Sequence, residues 1–150
     1  MVELPVEIYT AEQVRELDRA AIALPDISAY ELMCRAGDAA LACVQRHWPG
    51  IGRLSIFCGA GNNAGDGYVL ARLAAAAGIE VRVIAVTAPE RLTDAAALGW
   101  DDFQAAGGKA KSPDGELSFG DDLIVDGLVG TGLDRDLVGS YLTAVMTINA

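Results

Sequence analysis

The chain has 150 residues, of which 52% are hydrophobic, enough for one packed core and within the size of one domain. Eleven Lys and Arg stand against 21 Asp and Glu, a net charge of -10, which argues against nucleic acid or anionic lipid as a partner. No apolar run approaches the ~20 residues of a membrane span, and MVELPVEIYT lacks a basic segment followed by an apolar one. A cytoplasmic location is expected.

Two helices are predicted to open the chain. Thr10 with Gln13, and Ser28 with Glu31, have the spacing of reciprocal caps at a helix start. The second helix carries Leu32, Met33, Ala36, Ala39, Ala40, Cys43 and Val44 as an apolar stripe, read as core, and stops at Pro49-Gly50. Cys34, Cys43 and Cys58 are odd in number and lack a CxxC spacing, which speaks against disulfides and zinc and suggests buried thiols. The single histidine, His47, sits near the end of that helix, a position suited to a solvated residue and not to a catalytic base.

LSIFC, from Leu54 to Cys58, predicts a buried strand. The glycine-rich stretch that follows reads as a loop, and Tyr68 to Ala77 as a helix ended by Gly78. Glu80 to Val86 predicts a second strand, and Pro89 a helix running to about Ala106. A short strand is expected near Lys109 to Lys111, then the polar connection SPDGELSFGDD. LIVDG from Leu123 leads into a second glycine loop, and Val138 to Ile148 reads as helix. Strands alternating with helices imply a Rossmann-like, doubly wound and mainly parallel α/β sheet with helices on both faces. In that order the LSIFC and LIVDG strands are neighbours, so the two glycine loops face one crevice at the carboxyl ends of the strands.

Gly59, Gly61 and Ala64 fit G-x-G-x-x-G/A after a strand, a weak sign of pyrophosphate binding at a helix N-terminus. Val86 is followed by Thr-Ala-Pro, without the acidic residue that a dinucleotide dehydrogenase places there, and no GK[ST] of a P-loop occurs. Asn62, Asn63 and Asp66 exceed what a phosphate cradle requires. The amide oxygen of Asn63 and the carboxylate of Asp126 are hard donors that suit a monovalent cation. Equally, Asp66 can cap its helix, the asparagines can occupy turns and Asp126 can accept backbone N–H groups; spacing leaves both readings open. Arg135, in GTGLDRD, is placed to grip a phosphate or to pair with Asp134 or Asp136.

CGAGNNAGDG, then DGLVGTGLDRD, preceded by ELMCRAG and by YTAEQVRELDRAAI, resembles the YjeF N-terminal domain family, the NAD(P)H-hydrate epimerases, over essentially the whole chain. The resemblance implies an isomerase, usually dimeric, that interconverts the R and S epimers of hydrated NADH and NADPH. Its functional partner would be an ADP- or ATP-dependent NAD(P)H-hydrate dehydratase. Carried across, Asn62, Asn63, Ala64, Gly65, Asp66, Gly130, Thr131, Gly132, Leu133, Asp134, Arg135 and Asp136 would contact substrate, and Asn63 and Asp126 would ligate potassium (K+). Ala64 stands where the family has glycine, and Ala60 where proline is common. Family members continue into a strand ending in D-x-P-S-G, whose aspartate is the acid/base and whose serine completes the cation site. The domain at 1–150 is therefore expected to be C-terminally incomplete, without its last strands, and its catalytic residue is unassigned. The alternative is a catalytically inactive nucleotide-binding or protein-interaction module of the same fold; a redox dehydrogenase comes third.

Overall fold

The computed structural model describes residues 8–113, 123–134 and 136–149. Arg135 and most of the polar connection at 112–122 lie outside them. Both reciprocal caps form: Thr10 and Gln13 open α1 (Ala11–Ile22), and Ser28 and Glu31 open α2 (Ala29–His47). Then come β1 (Arg53–Cys58), α3 (Asn62–Ala76), β2 (Glu80–Ala85), a 3-10 turn (Pro89–Arg91) and α4 (Asp94–Ala105). The short β3 (Ala110–Lys111), β4 (Leu123–Gly127) and α5 (Ser140–Ile148) complete the order.

The four strands form one parallel sheet in the order β3-β2-β1-β4, with Cys58 opposite Ala85 on one side and Gly127 on the other. Alternation along the strands divides the core. Leu54, Ile56, Cys58 and Val83 face α2, α3 and α4, whereas Phe57, Ile84 and Leu128 pack with Ala144 of α5. Leu54, Ile56 and Phe57 are fully buried, each worth about 2 kcal/mol relative to exposure. Tyr68 is buried among Trp100 and Phe103, with ring centroids 5.0 and 5.8 Å away, and its hydroxyl finds no partner among the described residues. No helix among the described residues is long and apolar enough to cross a membrane.

Five local expectations need correction. The glycine-rich segment is mostly helix: α3 begins at Asn62, so the loop after β1 is only 59–61. Asp66 is accordingly inside α3 and caps nothing; the N-cap is Gly61, which has no side chain to offer. The helix expected from Pro89 is interrupted, because Leu92 turns into the core in extended conformation and the chain resumes as α4 at Asp94. The buried line of α2 runs through Met33, Gly37 and Val44, leaving Ala36, Ala39 and Cys43 exposed. That helix meets α3 closely at Gly37, where a Cβ would come within 2.5 Å of Val69 Cγ1, so the contact line is narrow. Of the thiols only Cys58 is buried, and burial pushes it up to about 12, which makes it inert as a nucleophile.

Candidate functional site

The carboxyl ends of β1, β2 and β4 open onto a cleft of about 650 Å³. Its near wall is the segment after β4: Leu128, Val129, Gly130, Gly132, Leu133, Asp134 and Asp136 all line it. Ala60 contributes from the β1 turn, Thr87 and Arg91 from beyond β2, and Tyr141 from α5.

Two glycines allow the segments to come together. At Gly59 a Cβ would lie 1.9 Å from the Leu128 carbonyl oxygen, so only glycine lets the β1 and β4 turns meet. The Gly59 N–H donates to the Gly127 carbonyl at 3.0 Å, extending the parallel ladder by one bond. Gly61, at φ 81°, then turns the chain into α3 through backbone space that L side chains rarely enter. With no side-chain cap, the first amides of α3 remain free for an anion.

Across this junction the Asn63 Nδ2 donates to the Val129 carbonyl at 2.9 Å, tying α3 to the loop after β4. Asp126 Oδ1 accepts the Leu128 N–H at 2.9 Å, two residues on. These bonds leave the amide oxygen of Asn63 and the second carboxylate oxygen of Asp126, hard donors from facing segments. Among the described residues no three His, Cys, Asp or Glu side chains cluster. One carboxylate among neutral oxygens fits a monovalent cation better than a divalent one.

The other sequence-derived candidates divide. Asn62 is exposed and Asn63 and Asp66 are half-buried, whereas Ala64 and Gly65 are buried under neighbouring helices. Gly65 is within 2.8 Å of contact with the Ala96 Cα were it to carry a Cβ, so its first role is helix packing. Thr131 offers its carbonyl to Arg15 Nη1 at 3.4 Å, which brings α1 to the rim of the site. Arg135 is outside the described residues. Sequence reasoning missed Arg15, Thr87, Arg91 and Tyr141. Thr87 and Tyr141 share a hydroxyl hydrogen bond of 2.8 Å, and no local pattern announces a pair so far apart in the chain.

Asp66 carries the clearest electrostatic perturbation among the site carboxyls. Burial, and then the Asp18 carboxylate of α1, push it from 3.8 up to about 6. The folded state therefore holds this proton more tightly than the unfolded chain. The resulting stability is complete below about pH 3.8 and is lost as pH rises through about 6. A gap of that size is worth about 3 kcal/mol in a fully enclosed group. Asp66 is half-buried, and solvent screening reduces this to about 1 kcal/mol. Asp66→Asn is thus expected to stabilise the fold by about that amount at pH 7.5 and to have little effect at pH 4. Parallel pH profiles of urea unfolding for the two proteins would contradict this.

Comparison with known proteins agrees with this architecture. Over 132 residues the chain is 40% identical to the bifunctional NAD(P)H-hydrate repair enzyme Nnr of Escherichia coli, covering 88% of this chain and 26% of that one. It is 39% identical over 140 residues to the NAD(P)H-hydrate epimerase of Rhodobacter capsulatus, covering 89% and 66%. The crystal structure of yeast ynu0, YNL200c, superposes with a TM-score of 0.76 at 20% identity, over 95% of this chain and 65% of that one. This chain therefore spans between about a quarter and two thirds of the length of these relatives. A family model described as YjeF-related protein N-terminus matches residues 29–150, which include both glycine segments and the strands that present them, and the chain belongs to that family.

Proposed function

We propose that this chain is an NAD(P)H-hydrate epimerase domain, interconverting the R and S epimers of hydrated NADH and NADPH. The observation that carries the reading is the Asn63 bond to Val129 at the mouth of β1 and β4. It joins the two glycine segments, both of which lie within residues 29–150 that the family model matches. In this reading the free amides of α3 receive the pyrophosphate, and the apolar wall of Leu128, Leu133 and Leu137 flanks a ring. Asp134 and Asp136 are carboxylates lining the same cleft.

The chemistry needs a proton and a screened cleft. The substrate's hydroxyl departs as water with a proton from an acid, the ring nitrogen stabilises the carbon cation left behind, and water returning to the opposite face inverts the centre and gives its surplus proton back to the conjugate base. Potassium between Asn63 and Asp126 would supply fixed positive charge beside the bound nucleotide. Asn63 and Asp126 would hold it while keeping the two turns in register. We further propose a cytoplasmic homodimer working with an ADP- or ATP-dependent dehydratase. The exposed apolar side chains Leu17, Ile22 and Leu24 at α1 support a second copy as a cover.

Chromatographic separation of the epimers tests the reading. Interconversion of purified R and S forms is expected to exceed the spontaneous rate and to rise with potassium. A folded sample that binds hydrated dinucleotide without accelerating interconversion would identify a binding module instead.

A further inference from the structure

The tip of the second strand in a dinucleotide-binding sheet is where the adenosine ribose is recognised: a carboxylate there accepts from the 2′-hydroxyl, whereas a base accommodates a 2′-phosphate. Here β2 ends at Ala85, and the residues that follow it into the cleft are Thr87 and Arg91. Glu90, the acid of this turn, lines a different cleft together with Trp100 and Lys111. Among the described residues that line the main cleft, Arg91 is the sole base, in a chain of net charge -10. Its guanidinium has no ion-pair partner among the described residues.

Two hydroxyls complete the arrangement. Thr87 Oγ1 and the Tyr141 hydroxyl lie 2.8 Å apart, and both line the cleft with Arg91. Tyr141 is also tied to the strand ends, since a Cβ on Gly59 would come within 2.9 Å of its hydroxyl. A guanidinium that lines one cleft with two hydroxyl groups suits a phosphomonoester, which offers three acceptor oxygens and nearly two negative charges at neutral pH. On the dinucleotide reading the pyrophosphate would have its own partner in the uncapped α3 amides at the end of β1. Arg91 sits one strand further out, on the β2 side, where the ribose of a bound dinucleotide extends.

We propose that Arg91, with Thr87 and Tyr141, forms a subsite for the ribose 2′-phosphate and makes this chain prefer phosphorylated dinucleotides. The proposal rests on the dinucleotide reading above but not on turnover, so ligands that cannot be epimerised test it separately. Titration calorimetry with adenosine 2′,5′-bisphosphate and with 5′-AMP is the measurement. The wild-type chain is expected to bind the bisphosphate about 10- to 100-fold more tightly, the worth of a charge-assisted phosphate contact. Arg91→Ala should bring that ratio close to one while leaving 5′-AMP affinity unchanged, and Arg91→Lys should retain part of it. Thr87→Val should lower it less than Arg91→Ala does. Equal wild-type affinities, no binding of either nucleotide, or an Arg91→Ala loss that is the same for both would overturn the proposal. If the preference is found in a protein that does not interconvert the hydrate epimers, the epimerase reading fails and the subsite stands. Interconversion without the preference gives the reverse.

Discussion

Replacing Gly59 with alanine is expected to lower the unfolding free energy by about 3 kcal/mol, the upper end of what an overpacked interior costs. The added methyl would sit 1.9 Å from the Leu128 oxygen and 2.8 Å from its carbonyl carbon. Both are backbone atoms of the segment that pairs with β1 through the Gly59 bond to Gly127, so neither can rotate aside. The strand ends must separate, which breaks that bond and shifts Val129 away from Asn63. Gly61→Ala is the control. Its Cβ would meet nothing within 4 Å, so the cost is only that of holding a non-glycine residue at φ 81°, about 1–2 kcal/mol. Urea midpoints at unchanged slope measure both. A Gly59→Ala loss no larger than that of Gly61→Ala would mean the two turns are not in the close contact described.

The elements that were legible in the sequence are those whose cause is local. The caps at Thr10 and Ser28 need only residues three positions away, and both form. The apolar runs of β1, β2 and β4 and the helices between them fix a parallel sheet, and the pairing of β1 with β4 follows from the winding order. What escaped has causes across the fold. Asn62 to Gly67 reads as a loop because glycine usually marks a turn. Here Gly65 and Gly67 are helical residues made small so that Met33, Ala96 and Cys58 can approach. The break after Arg91 comes from burial of Leu92, which no short-range pattern signals. At the site, the segments carrying Asn63 and Asp126 could be inferred from topology, since strand neighbours carry their turns to one edge. Arg15 and Tyr141 reach the same edge from helices whose docking depends on the finished core. Thr87 and Arg91 were readable in principle: searching the end of β2 for an acid alone passed over a base.

Asp126 offers the sharpest separation of structural from functional effects, because its two oxygens are assigned different work. Oδ1 accepts the Leu128 N–H and so sets the turn whose next carbonyl meets Gly59; the other oxygen would face the cation. Asp126→Asn preserves an oxygen acceptor for the turn but removes the charge. It is expected to unfold within about 0.5 kcal/mol of the wild type and to lose its rate response to potassium. Asp126→Ala removes both. Leaving the Leu128 amide without its partner should cost about 1–2 kcal/mol, and the potassium response should vanish as well. Unfolding curves and interconversion rates, each recorded over a potassium series at constant ionic strength, give the two readouts independently. An Asn variant that keeps the potassium response would remove the cation from the proposal while leaving the turn intact. Equal unfolding energies for the Asn and Ala variants would show that the bond to Leu128 contributes nothing, and that the junction is held by glycine contact and Asn63 alone.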